Sequence, residues 1–289
     1  MILELLRLMR PHQWVKNSFV LTGLIFGHAW HTPALILQTA IIFIAFCLIS
    51  STVYILNDII DIDQDREHPT KRNRPLPSGK LKASSARIFA LFLGVTALTL
   101  AYFAATIVFV ILLIYLVMNI AYSLKLKHVV ILDVFIIATG FMLRIFAGTF
   151  GIGIPPSQWL LLCGLMVTLF LGFSKRRAEI IVLNDDKSEH RRVLQDYSPL
   201  LLDKMIVVTA AGLIMSYSLY TMNPETIRIH GTSNLIYTVP FVVYGVFRYI
   251  FLLHNQSSGG DPSRDLVRDP HMLIVMVAWV ITTIALIAR

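Results

Sequence analysis

The sequence predicts an all-α polytopic membrane protein with nine transmembrane helices. Three observations carry this. Apolar residues make up 56% of the 289, mean hydropathy is +0.71 and only 15% are charged, well outside the range of soluble domains. Charge-free runs recur, among them Pro33 to Leu56 and Ile88 to Tyr122, and about 20 apolar residues suffice to cross a hydrocarbon core. The lysines and arginines, finally, gather on alternate loops.

Taken in order, the apolar windows place helices at 14 to 31, 34 to 57, 85 to 103, 106 to 123, 129 to 148, 159 to 174, 204 to 222, 235 to 253 and 271 to 288. No small-residue cleavage site follows the first, which reads as a retained helix rather than a signal peptide. The third and fourth share one long apolar run, divided at a tight turn near Phe103 to Ala105. With the amino terminus on the cytoplasmic side, the inward loops are 58 to 84, 124 to 128, 175 to 203 and 254 to 270. Of the 25 Lys and Arg, all but Arg144, Arg228, Arg248 and Arg289 then lie in those loops, at adjoining helix ends or in the amino-terminal segment. The net charge of +8 is thereby a matter of topology and attraction to anionic lipid, with nucleic acid not a partner. Cys47 and Cys163 sit in apolar stretches and indicate neither a disulfide nor a metal cluster. His28 and His31 read as a wet interfacial loop, and Gly148, Gly151 and Gly153 with Pro155 and Pro156 as an outer turn.

Function is sought in the inward loops, above all in "NDIIDIDQDREHPTKRNRPLPSG" from Asn57 to Gly79. If the second helix continues through it, Asp58, Asp61 and Asp65 are spaced by three and four residues and share one face with Asn57, while Asp63 points away. Like charges that close need compensation by cations or a metal. An EF-hand fails, since Arg66 stands where glycine is needed and Arg72 where glutamate is needed. Mg²⁺ fits better, held by one to three carboxylates with water and phosphate oxygens completing its shell. Lys71, Arg72 and Arg74 would meet the same phosphates, and Pro75, Pro77 and Gly79 would bend the loop back over them. The competing reading is a solvated acidic and basic loop.

"NDIIDIDQD" followed by "RPLPSG" resembles the UbiA superfamily of intramembrane prenyltransferases, whose first aspartate-rich motif is N-D-x-x-D-x-x-x-D. The resemblance covers the chain as a single transmembrane domain, 1 to 289. It implies nine helices around a central cavity opening toward the cytoplasmic side. Most of the superfamily carries a second aspartate-rich motif after the fourth helix, holding another Mg²⁺ on a prenyl diphosphate. Here that segment reads "YSLKLKHVVILD", with Lys125, Lys127 and a single carboxylate, Asp133. Together with "RPHQWVKN" at 10 to 17, "FSKRRAEI" at 173 to 180 and "GGDPSRDLVRDP" at 259 to 270, it is similar to the decaprenyl-phosphate phosphoribosyltransferase branch.

That resemblance implies 5-phosphoribosyl 1-diphosphate (PRPP) as donor and a polyprenyl phosphate in the bilayer as acceptor, at a bacterial-type plasma membrane. Asp58, Asp61 and Asp65 would bind Mg²⁺ on the departing diphosphate, with Asn57 on the carboxylates or the ribose. Positive charge would develop at C1 of the ribose as the bond lengthens, and the already anionic acceptor would attack the opposite face without a dedicated base. Lys175 and Arg176 are the favoured phosphate ligands, oriented by Glu179, with Tyr122, Lys127, Lys16 and Asn17 next and Arg74 on the 5-phosphate. Arg144, about three turns after Asp133 on one helix, faces a cavity or partner, or snorkels outward. Arg248 poses the same choice. Asp261, Arg264 and Asp265 are read as a lid, a second metal contact or a capped turn. Two alternatives stand beside this: a prenyl diphosphate transferase with an aromatic or lipid acceptor, and a lipid transporter, against which the gathering of charge at one face argues. Polyprenyl chain length and homo-oligomerisation are not legible.

Overall fold

The computed structural model describes residues 2–67, 71–183, 196–255 and 269–287, and among these all regular structure is helical. The α-helices are α1 (Ile2–Met9), α2 (Thr22–Phe26), α3 (Pro33–Ile60), α4 (Ile62–Glu67), α5 (Ala83–Ala104), α6 (Thr106–Leu124), α7 (Leu132–Phe150), α8 (Gln158–Leu183), α9 (Pro199–Met222), α10 (Pro224–His230), α11 (Val239–Asn255) and α12 (Pro270–Ile287). Eight segments among the described residues are long and apolar enough to cross a membrane: α3, α5, α6, α7, α8, α9, α11 with the turn before it, and α12. The chain is an integral membrane protein.

The expected count was nine, and the difference lies at 14 to 31. There the chain forms a 3₁₀ helix, Pro11–Leu21, then the short α2 and a 3₁₀ turn, Ala29–His31. Arg10 precedes proline, which disfavours the α region, and it takes a left-handed backbone with φ 52°. The amide of Asn17 and the close packing at Gly23, described below, then hold this segment by specific contacts rather than by a lipid-facing stripe. Elsewhere the boundaries move less. The expected break between α5 and α6 is the single extended residue Ala105. Helix α8 runs nine residues past the expected end at 174, because "KRRAEIIVL" contains good helix formers and no glycine or proline. Helix α9 starts at Pro199, where the Ser198 hydroxyl accepts the Leu201 N–H.

The chain divides into two compact units, Met1–Lys127 with Thr139–Pro156, and His128–Ala138 with Ser157–Arg289. In the first, α3 is the hub, packing against α1, α5, α6 and the 3₁₀ helix Pro11–Leu21. Helix α5 turns a stripe of small residues inward, Ala86, Ala90, Gly94, Ala97 and Ala101, and keeps Ile88, Phe92 and Val95 exposed. Small side chains let helix backbones approach in lipid, where no hydrophobic effect draws two apolar helices together. Gly23 and Gly148 do the same more tightly: a Cβ on Gly148 would fall on the Val20 carbonyl, and one on Gly23 on the carbonyl of Gly148.

In the second unit α8 packs on α9, α9 on α11 and α11 on α12. Phe170, Phe173, Leu202, Ile206, Tyr249 and Leu252 fill its core. Arg248 does not snorkel: it pairs with Asp269 at 2.7 Å, and Asp269 also accepts the Met272 N–H at 2.9 Å, capping the start of α12. The guanidinium holds the Asp269 carboxyl below its ordinary value.

Two outcomes are expected. Gly148→Leu should lower stability by about 2 kcal/mol or more, since backbone rather than a yielding side chain meets the new atoms. Thermal unfolding in detergent measures it, with Gly153→Ala as a turn-position comparison. The Asp269 contribution is present above the ordinary aspartate pKa and lost as pH falls through the depressed one, so acid should weaken native protein in that window while Asp269→Asn flattens the profile there.

Candidate active site

Helix α3 ends inside the acidic motif, with Asp61 as its cap residue, and α4 resumes at Ile62, so the carboxylates stay grouped through a slight break. Asp58 and Asp65 are buried and Asp61 half-buried. Asp63 points outward as expected and pairs with Arg66.

The loop that follows returns over this end. Arg74 donates from one terminal nitrogen to Asp65 at 2.7 Å and to Asp58 at 3.1 Å, bridging them. Lys71 lies 3.7 Å from the other oxygen of Asp65, and Pro75 and Pro77 are buried beneath the turn. Arg10 reaches the same Asp58 oxygen at 2.5 Å and lies over the Tyr54 ring. Asp61 accepts from Lys127 at 3.0 Å and from Asn57 at 3.0 Å. Arg72 is exposed, with no partner among the described residues.

Arg144 is enclosed rather than snorkelling. It is 4% exposed and donates to Asn17 Oδ1 at 2.8 Å, to the Gly140 carbonyl at 2.7 Å and to the Tyr115 hydroxyl at 3.0 Å. The rings of Phe46, Tyr115 and Phe141 surround its guanidinium. Neutral acceptors and aromatic faces stabilise this cation, with no carboxylate paired to it among the described residues. Asn17 spends its amide nitrogen on Cys47 and Ser50, which ties the 3₁₀ helix to α3. Lys16 and Tyr122 are half-buried within the same unit.

The second unit has its own charged centre. Asp133, fully buried, accepts from Arg176 at 2.7 Å and from the Tyr197 hydroxyl at 2.8 Å. Arg176 also pairs with Glu179, one turn on along the extended α8. The Tyr197 oxygen accepts the Ile131 N–H at 2.6 Å, and burial with donation to Asp133 pushes its pKa up, so it remains a phenol. Arg177 pairs with Asp203 and donates to the Leu253 carbonyl. Lys175 is half-buried and makes no ion pair among the described residues. Asp261, Arg264 and Asp265 lie outside the described residues.

Reading the sequence alone missed Arg10 and Tyr197. The signal for Arg10 was its place before Pro11 in "RPHQWVKN", although nothing local says that it reaches a residue 48 positions away. Tyr197 carries no motif at all.

The donor chemistry at Asp58, Asp61 and Asp65 suits a hard divalent cation that takes few protein ligands. Among the described residues no three acidic, histidine or cysteine side chains converge into an all-protein cage, and Mg²⁺ ordinarily uses one or two carboxylates with water and phosphate oxygens. The half-exposed cations at the rim carry charge of the sign that pairs with phosphate.

The sequence profile of the UbiA prenyltransferase family matches residues 17–268. A Corynebacterium glutamicum protein named decaprenyl-phosphate phosphoribosyltransferase is 32% identical over 284 residues, covering 96% of this chain and 84% of its own length. A protein of the same name from Mycobacterium tuberculosis is 28% identical over 292 residues, covering 100% of this chain and 95% of its own. The structure of a UbiA homolog from Archaeoglobus fulgidus bound to DMAPP and Mg²⁺ superposes with a TM-score of 0.75 at 17% identity, over 99% of each chain, and so has the same fold.

Removing one member of a buried ion pair leaves the other uncompensated. Asp133→Ala should therefore cost about 3 to 5 kcal/mol, whereas Lys125→Ala, at an exposed position, should stay within about 0.5 kcal/mol of native. Unfolding midpoints in detergent distinguish the two.

Proposed function

The chain belongs to the UbiA prenyltransferase family, and on that premise we propose that it transfers 5-phosphoribose from PRPP to a polyprenyl phosphate of the decaprenyl type, releasing diphosphate. The observation that carries this is the pair between Lys127 and Asp61. Where a prenyl diphosphate enzyme of the family would place a second set of carboxylates, this chain places a lysine that reaches back to the first set. One acidic motif ringed by cations suits two strongly anionic reactants better than it suits a second metal. Relatives named for this activity over nearly the whole chain support the same choice.

One or two carboxylates of the group Asp58, Asp61 and Asp65 would hold Mg²⁺, which when bound would neutralise the diphosphate and stabilise it as a leaving group. Asn57 fixes Asp61 through its amide, so that carboxylate keeps one orientation. Lys71, Arg72 and Arg74 stand at the rim, where guanidinium groups take phosphate oxygens in bidentate fashion. As the bond from C1 to diphosphate lengthens, these groups stabilise charge gathering on the leaving oxygens, and the ribose acquires oxocarbenium character. A phosphate oxygen of the acceptor is anionic near neutrality and attacks C1 directly, so no side chain has to remove a proton. A single displacement inverts C1. In the second unit, the half-buried Lys175 makes no ion pair among the described residues and is the cation offered to a phosphate, while Arg176 is engaged by Asp133 and Glu179 and acts to hold α8 in place. Tyr122, Lys16 and the Asn17–Arg144 pair shape the first unit's polar interior. The distribution of lysine and arginine supports a cytoplasmic amino terminus and active site in a bacterial-type plasma membrane.

Purified protein in detergent, given radiolabelled PRPP, Mg²⁺ and decaprenyl phosphate, should move label into the organic phase. Chelation of Mg²⁺, Asp58→Ala or Asp61→Ala should lower the rate by about 100-fold or more. No transfer from PRPP, together with product from a prenyl diphosphate and an aromatic acceptor, would replace this reading with the other activity.

A further inference from the structure

The carboxylates of Asp58 and Asp65 are buried while the guanidinium groups on them are not. The side chains of Asp58 and Asp65 are 2% and 4% exposed, those of Arg10 and Arg74 22% and 29%. A polyanion arriving from water therefore meets the two arginines before it meets the aspartates. Each arginine spends one terminal nitrogen on the carboxylates, Nη2 of Arg10 and Nη1 of Arg74. Among the described residues the other terminal nitrogen of each makes no hydrogen bond to protein. Both arginines also converge on a single atom, Asp58 Oδ1.

Arg10 reaches that atom by an uncommon route. Its backbone is left-handed, φ 52° and ψ 60°, a region that side chains with a Cβ rarely adopt. The conformation turns the chain from α1 into the 3₁₀ helix, and the Tyr54 face, 5.2 Å from the guanidinium carbon, holds the side chain over the end of α3. Residues in such backbone regions persist where the surrounding structure over-determines them, and they cluster at ligand clamps.

We propose that Arg10, with Arg74, is an exchange cation for the donor: it neutralises Asp58 until a divalent cation takes that carboxylate, and then carries its charge to the diphosphate the cation brings. Both guanidinium groups sit on Asp58 Oδ1, and a divalent cation on the same carboxylate would repel them, so metal entry would weaken the arginine contacts and turn their N–H groups toward phosphate oxygens. Arg10 thus opposes binding of the bare metal and favours binding of the metal with diphosphate. This rests on the metal-diphosphate reading of the motif given above.

The test is calorimetry on the purified full chain in detergent, titrating first Mg²⁺ alone and then inorganic diphosphate at saturating Mg²⁺. Arg10→Gln should bind Mg²⁺ about tenfold more tightly than native protein and diphosphate about tenfold more weakly, two shifts of ~1.4 kcal/mol in opposite directions. Arg10→Gly, which relaxes the left-handed backbone while removing the cation, should show the same opposed pair, and Arg10→Lys should recover most of the diphosphate affinity. If both affinities fall in the glutamine and glycine variants, Arg10 is a structural support and the inference is wrong. It is equally wrong if neither moves. Asp58→Asn separates the two levels of argument: loss of Mg²⁺ binding there keeps the metal site whatever Arg10 does, and unchanged Mg²⁺ binding removes the metal site and the exchange together.

Discussion

Carboxylates at the end of a membrane-crossing helix can remain ionised only if cations are fixed beside them, because desolvating an unpaired charge costs several kcal/mol. Asp58 and Asp65 impose that condition on the first unit, and much of its architecture follows. Arg74 meets both, so the loop after α4 must return over the end of α3, and buried Pro75 and Pro77 give it the bend. Arg10 meets Asp58, so α1 must break before Pro11. Lys127 meets Asp61, so the turn after α6 is drawn to the same carboxylates. A segment of fewer than ten residues therefore sets where three separate stretches of chain lie.

The second unit solves the same problem with a closed network. Asp133 has both oxygens occupied, by Arg176 and by the Tyr197 phenol, and Glu179 takes another edge of the arginine. This leaves little to offer a ligand and much to hold α7, α8 and the approach to α9 in register. Arg144 shows a third solution, a buried cation stabilised by neutral acceptors and ring faces. The open arrangement at Asp58 differs from both: its cations lie at the rim with donors to spare. That contrast, more than the number of charges, separates an open cluster with spare donors from closed ones whose donors and acceptors are already engaged.

The acidic motif was legible because its spacing is a helix's spacing, and Asp63 could be set aside on the same geometry, which its outward pairing with Arg66 follows. The class was legible because apolar length and the placement of lysine and arginine follow from the bilayer rather than from the fold. The expected span at 14 to 31 is not one long helix, because hydropathy alone cannot tell a lipid-facing helix from a 3₁₀ segment packed on α3. There Asn17 and Gly23 make contacts with residues far along the chain. The end of α8 was misplaced for a related reason: "SKRR" looks like a loop until Asp133 and Asp203 are found to neutralise it.

By itself, then, the sequence determined the solvent the chain lives in, the periodicity of its spans and the face on which three aspartates gather, since each depends on composition or local spacing. The tertiary structure alone decided which cation serves which carboxylate. Arg10 with Asp58, Lys127 with Asp61 and Arg176 with Asp133 are separated by 48, 66 and 43 residues. Pairings at that distance are set by where whole helices pack, and no local rule of charge or hydropathy contains that information.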